Sequence, residues 1–509
     1  MNPLPEQLRD VNTTDIRDAI RLGCETMQRV FNADDPLQTP YFGAQILPEA
    51  CMAFGSCHGE SHVPGRHLNA LLNAEDAAGI ELDERAVELH AKAAFFSYSG
   101  PVPLALNRDR IGGPLVHFCP HNLREGMHAL YALARFRDSK QAREIAERSI
   151  ACILDFWKPD DGWDLKRLQS LGLNYQPAQG FIAGEARMLG PLVKYYRVTR
   201  SAAAMELALL LKEKACEEFF LNDGGFDVKR FVTTHSHSIT CTMSSLAQLA
   251  ELLGDASLRA RVAAFYDNGL WHMRDEIGWS PETIGQSDTD QGECNNTGDI
   301  LETALLLGRY QDAERILRCH LLPSQLRDIS FAVAAPNPEN RDNLRDVPNR
   351  LRGAFGFPAA YGHQPVPHRP GRGISFNLDI VGGTVASLCE AYRSVTRFDE
   401  RGHHVNLLFD HETDAIRVES PYTHDALRVT PKKPGQLFVR GKSAGTPQIG
   451  QPVTIPFPLR EKVLTLCERV HLRPIRVALH GDSVAAMEHH GAWLRFFPEL
   501  PATASKIGH

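Results

Sequence analysis

Carboxylates, amides and imidazoles gather in a few short stretches of this chain. The densest is DEIGWSPETIGQSDTDQGECNNTGD, residues 275–299, with Glu282, Asp288, Asp290, Glu293, Cys294, Asn295, Asn296 and Asp299. Paired carboxylates do acid–base work on glycosidic bonds, and Asn and Asp bind sugar hydroxyls. Helix capping by Asn296 or Thr297, with Asp299 near the dipole, accounts for only one or two of these residues. A second stretch, THSHSITCTM, alternates His235 and His237 just before an apolar helix. Such a pair ligates a metal or binds sugar oxygens. No metal or other cofactor is expected. A metal held by His235, His237, Glu293 and Cys294 is the weaker alternative.

Four further stretches carry polar groups beside apolar helices. HFCPHNLREGMH places His121 before a helix and Glu125 inside it, open to catalysis, ligand binding or an ion pair with Arg124. HGESHVPGRHLNALL offers Glu60, His62, Arg66 and His67, which read as a basic group over an acidic sugar or as a surface loop. GFIAGEARMLG sets Glu185 and Arg187 among small and apolar residues, as a buried ion pair or a ligand contact. RGISFNLDIVGG leads through Asn377 and Asp379 into a helix whose Gly382-Gly383 pair lets backbones approach. No dinucleotide or phosphate loop, nucleophile elbow, zincin helix or kinase set occurs.

The elements around these stretches repeat. Apolar residues at helical spacing fill 121–157, 181–220, 239–275 and 298–322, each block broken by a tight polar turn, near Asp138, Arg200, Asp255 and Asp312. The period is about 55–60 residues, the mark of a helical-hairpin repeat. Segments 14–31, 66–78, 83–97 and 376–396 supply the remaining helices. The fold expected is mainly α, an (α/α)6 toroid over residues 1–402, with the His-, Asp- and Asn-rich loops meeting at one mouth. From 403 to 509, short period-two runs such as HVNLLFD, AIRVESP and QLFVRG predict an antiparallel β-sandwich.

Composition limits the partners. The 509 residues hold 55 Lys and Arg against 62 Asp and Glu, a net charge of −7, which argues against a general nucleic-acid binder. No apolar run reaches the ~18 residues that span a bilayer, so no membrane partner is expected. The polar start, MNPLPEQLRD, is not a secretory signal, so the expected location is cytoplasmic. Eleven scattered cysteines without a CxxC pair fit a reducing compartment, whereas the 22 histidines cluster at the loops. Homo-oligomerisation is left open.

The order of hairpins, loop and β-domain resembles the β-L-arabinofuranosidase family of glycoside hydrolases, diffusely, from about 58 to 450. THSHSITCTMSSLAQLAELLGD is similar to the family's His-Ala-Asn-Thr segment and inner helix, HNLREGMHALYALARF to its Gly-His-Leu-Ile-Glu helix, and HVNLLFD to its first sandwich strand. Glu282 in SPETIG occupies a place similar to the family's acid/base Glu, and Glu293-Cys294 resembles its Glu-Thr-Cys motif with a residue missing. The family's Cys-Cys pair, which supplies the nucleophile and helps hold zinc, has no counterpart in SFNLDIVGG. The resemblance therefore implies a sugar site that works without a cysteine nucleophile. A carboxylate pair is the simplest replacement, with Glu282 as the acid beside Trp279 and Asp290, Glu293 or Asp379 as base or nucleophile. Sugar contacts are expected from His62, His67, His121, Glu125, Glu185, His235, His237, Asn295, Asn296 and Asn377. The function expected is an exo-acting hydrolase of a short oligosaccharide or glycoside. The alternatives are a lyase on a uronic-acid-containing sugar, with Arg66 or Arg187 on the carboxylate and His235 or Tyr175 as base, and a non-catalytic sugar-binding protein.

Overall fold

The computed structural model describes residues 7–286, 290–365, 373–491 and 494–501. Asp288 lies outside them. Six helices form an inner ring: His62–Ala78, Leu123–Phe136, Leu189–Thr199, Ser236–Leu253, Cys294–Leu307 and Leu378–Ser394, here numbered one to six. Each packs against the next, and the sixth packs against the first, so the ring closes. Outer helices follow the first five: Glu84–Ser97, Lys140–Phe156, Ala202–Lys214, Ala256–Asp267 and Tyr310–Ile316. Ile16–Met27, from the start of the chain, covers the sixth.

Three hairpin turns form at the expected polar breaks near Asp138, Arg200 and Asp255, whereas the fourth falls at Gly308 and Arg309, and Asp312 lies in the first turn of the outer helix. Gly254 ends the fourth inner helix in the left-handed region at φ 63°, a conformation only glycine adopts without strain. Asp255 then caps the next helix by accepting from the Leu258 amide at 2.9 Å. One expected helix is broken. The stretch from Gly180 runs as a short turn to Ala183, a 3-10 segment Glu185–Met188, and only then the third inner helix. Gly184, at φ −108° and ψ −102°, makes the break and turns Glu185 and Arg187 toward different neighbours.

Three inner helices approach one another unusually closely. A side-chain carbon on Gly65 would fall 1.9 Å from the Glu125 carbonyl oxygen, and one on Gly382 would fall 2.7 Å from the Arg66 backbone. These contacts hold the first inner helix tightly between the second and the sixth. They place Arg66, Glu125 and Asp379 at the ring axis.

Short strands also join the loops of the helical part, and from Thr396–Asp399 strands follow one another to the end of the described chain. Most pair antiparallel, but Gly402–Val405 runs parallel to Gln436–Val439, an exception to the expected pattern. The strands do not share one core. Val405, Leu408, Ile416, Val418, Leu427, Val429, Leu437 and Val439 form a small cluster of their own. Leu466, Ile475, Val477, Leu479, Met487 and Phe496 instead join the large core of the helices. Among the described residues no helix is long and apolar enough to cross a membrane.

Candidate active site

The N-terminal ends of the inner helices converge on a cluster of charges built around Glu125. Its Oε1 accepts from Arg187 at 2.7 Å, Arg66 at 3.0 Å and Arg124 at 3.2 Å. Burial pushes the Glu125 carboxyl up, but Arg187, His62, Arg66 and Arg124 together hold it well below the usual carboxylate range. Glu125 is therefore an ionised hub that orients three guanidiniums. Of the sequence readings left open for it, the structure shows the ion pair, and with more arginines than Arg124 alone.

Asp379 enters from the first turn of the sixth inner helix. Its Oδ2 lies 3.3 Å from Arg66 Nη1 and 3.2 Å from His62 Nε2. Burial raises this carboxyl too, yet Arg66 and His62 hold it far below its ordinary value. Its Oδ1 is buried and has no hydrogen-bond partner among the described residues. One oxygen is thus held by Arg66 and His62, while the other is buried without a partner among the described residues.

Imidazoles line the same end of the ring. His62 Nδ1 donates to Asn122 Oδ1 at 2.9 Å, and the His62 ring stacks on His121 with ring centroids 5.6 Å apart. His121 contacts the Arg187 guanidinium and lies 5.6 Å from the His235 ring, which lies 5.7 Å from that of His237. Burial, then the charge of Arg187, pushes His121 well below the usual imidazole range; burial, then Arg66, does the same to His237. Both are neutral at physiological pH and can accept as well as donate.

Glu293 sits immediately before the fifth inner helix. Asn295 Nδ2 donates to its Oε1 at 2.9 Å, and its buried Oε2 lies 3.5 Å from His235 Nε2 without a hydrogen-bond partner among the described residues. Glu282 stands beside them because residues 282–284 are tied to the start of the fourth inner helix. Ser236 N donates to Glu282 O at 3.0 Å, and Ile284 N to Thr234 O at 2.8 Å. The Glu282 carboxylate is half-buried and accepts from Gln291.

The remaining expected site residues go elsewhere. His67 bonds the Leu378 carbonyl at 2.7 Å and His90 at 3.3 Å, inside the core. Asp290 accepts from Tyr361 at 2.9 Å and from the Leu472 amide at 3.1 Å, committed to the C-terminal segment. Asn296 pins the loop through the Pro281 carbonyl at 2.9 Å. Glu185 accepts from Trp163 Nε1 at 2.5 Å, and burial raises its carboxyl. Asn377 precedes the sixth inner helix, its backbone paired with Gly43. Trp279 is fully buried against His471, 4.5 Å between rings. Cys294 points to Ser324 Oγ at 3.3 Å, and burial pushes its thiol up to about 12. A thiol so placed is neither a ready nucleophile nor a partner of His235 and His237. Sequence reading missed Asn122 and Ser238, which orient His62 and His235. Their only signal was adjacency to a histidine stretch.

This closed ring of helices with charged residues at one end is the fold of the six-hairpin glycosidases. A GH127 β-L-arabinofuranosidase from Geobacillus stearothermophilus T6 superposes with a TM-score of 0.52 at 13% identity, over 94% of this chain and 81% of that one. A second GH127 β-arabinofuranosidase gives 0.52 at 11% identity, over 83% and 74%. No protein-family model and no curated protein sequence matches the chain. The likeness is one of fold, at the distance of a remote relative without the Cys-Cys pair.

Proposed function

We propose that the chain is a glycoside hydrolase that acts at the N-terminal end of the inner ring. In this reading the ring is an (α/α)6 toroid, and the C-terminal strands add a sandwich behind it. The substrate is a short oligosaccharide or glycoside attacked from its end, arabinofuranoside-like, within the cytoplasm. One observation carries the proposal: Asp379 is ionised and oriented by Arg66 and His62, with one oxygen unpartnered. It occupies the region where the resembling enzymes keep their cysteine pair. Glu282, at the start of the fourth inner helix, supplies the acid, and His62, His121, His235 and Asn295 hold sugar hydroxyls.

The lyase reading has less support. Arg66 and Arg187, its candidates for a substrate carboxylate, are both engaged by Glu125. Burial pushes the Tyr175 phenol up to about 12, too high for a ready base at neutral pH. Incubation with 4-nitrophenyl β-L-arabinofuranoside and with unsaturated and saturated uronyl disaccharides tests the assignment. A free reducing sugar without an ultraviolet-absorbing unsaturated product is expected. A new unsaturated product refutes hydrolysis.

A further inference from the structure

The zinc of the resembling enzymes needs cysteines that this chain does not place at the site, yet a different set of donors meets there. His235, His237 and Glu293 each offer one ligand atom, and the three atoms lie within 4.8 Å of one another. The His235 Nε2 to Glu293 Oε2 distance is 3.5 Å. Bonds of about 2.0–2.1 Å to a tetrahedral ion put neighbouring ligand atoms about 3.3 Å apart. That pair is already spaced for the role.

We propose that His235, His237 and Glu293 form a seat for one zinc ion at the mouth of the ring, with a coordination position left open toward solvent. The set uses none of the family's cysteines, and a zinc-bound His235 gives up the hydroxyl contact that the glycoside reading assigns to it. Three features support it beyond the cluster. Glu293 Oε2 is buried and lacks a hydrogen-bond partner among the described residues, whereas Asn295 fixes the other oxygen. Ser238 Oγ holds His235 Nδ1 at 2.8 Å, which leaves Nε2 to face Glu293. Such outer contacts are how metal-binding imidazoles and carboxylates are oriented. His235 is half-buried, so an ion can enter from the mouth.

The electrostatic surroundings permit a cation at this seat and oppose one next door. Arg66 Nη2 lies 3.5 Å from His237 Nδ1, but its charge is met by Glu125 and Asp379. A second group, His237, Cys241 and Asp299, also converges. There Arg124 lies 3.7 Å from Asp299, and burial pushes the Cys241 thiol up to about 11. A dication there meets a guanidinium and a thiol that stays protonated. Nitrogen-rich donors with one carboxylate favour zinc over calcium or magnesium.

The test uses the full chain with any affinity tag removed, stripped with chelator and titrated with zinc chloride by calorimetry. Zinc is also counted by mass spectrometry after gel filtration. The expected result is about one zinc per chain. Ser238→Ala should weaken binding about 10–100-fold, and Glu293→Gln and His235→Ala should weaken it more than that. Cys294→Ser should leave it within a few-fold. Circular dichroism reports folding, and the near-isosteric Glu293→Gln carries the test if His235→Ala does not fold. Absence of stoichiometric zinc in the parent chain overturns the proposal. So does binding that survives Glu293→Gln, or binding lost with Cys294→Ser.

Discussion

His471 reaches from the C-terminal segment into the loop that leads to Glu282 and Glu293. Its Nε2 lies 2.9 Å from Asp275 Oδ2, its Nδ1 3.7 Å from Asp290 Oδ1, and its ring stacks on Trp279. Asp275 also accepts from the amides of Ile277 at 3.0 Å and Trp279 at 2.9 Å. Both ends of the loop are thereby clamped on one imidazole. Burial lowers the pKa of His471, but Asp275 and Asp290 raise it to about 9 from the ordinary 6.5, and neighbouring His320 is held neutral. That difference corresponds to about 3 kcal/mol. Because the folded value is raised, the contribution is complete below pH 6.5 and fades as pH climbs through about 9. Urea unfolding followed by tryptophan fluorescence from pH 6 to pH 10 reads this directly. The parent chain should lose about 3 kcal/mol across that range from this group, and His471→Gln should lack that loss. The two stability curves should therefore converge at high pH. Parallel curves would refute the reasoning.

Glu125→Gln should destabilise the chain by about 3–5 kcal/mol, because Arg66, Arg124 and Arg187 lose their shared buried anion. Chemical denaturation measures it, and a loss near zero would show that the hub is not a structural anchor. Gly65→Ala forces a carbon to within 1.9 Å of the Glu125 carbonyl and should cost at least about 1–3 kcal/mol. A thermal midpoint equal to that of the parent chain would count against the close approach of the first two inner helices. Asn296→Ala removes the bond to the Pro281 carbonyl and should destabilise the chain by about 1 kcal/mol.

The hairpin repeat was legible because apolar spacing and polar turns recur along the chain, and His62, His121, His235 and His237 from three of the histidine stretches do meet. The division of labour among the polar residues was not. In the 275–299 loop, Asp275 and Asp290 serve the His471 clamp, while Glu293 faces His235 and the Glu282 backbone is tied to Ser236. Sequence shows eight such residues within one stretch but not which ones a distant segment will claim. Sequence leaves Arg66 between a sugar contact and a surface loop, and Arg187 between an ion pair and a ligand contact, because their partner, Glu125, lies more than fifty residues away in the chain. The broken third hairpin was hidden for a similar reason, since helical spacing continues through Gly184 while tertiary contacts bend the backbone there.

The central claim is that Glu282 and Asp379 perform acid–base chemistry on a glycosidic bond. Its most direct measurement is kcat/KM of Glu282→Gln on 4-nitrophenyl and 2,4-dinitrophenyl β-L-arabinofuranosides, with Asp379→Asn alongside. The account predicts that Glu282→Gln loses about 10²–10⁴-fold on the poorer leaving group and far less on the activated one, while Asp379→Asn loses activity on both. Activity of Glu282→Gln within a few-fold of the parent chain on the 4-nitrophenyl substrate, or an active Asp379→Asn, would contradict it.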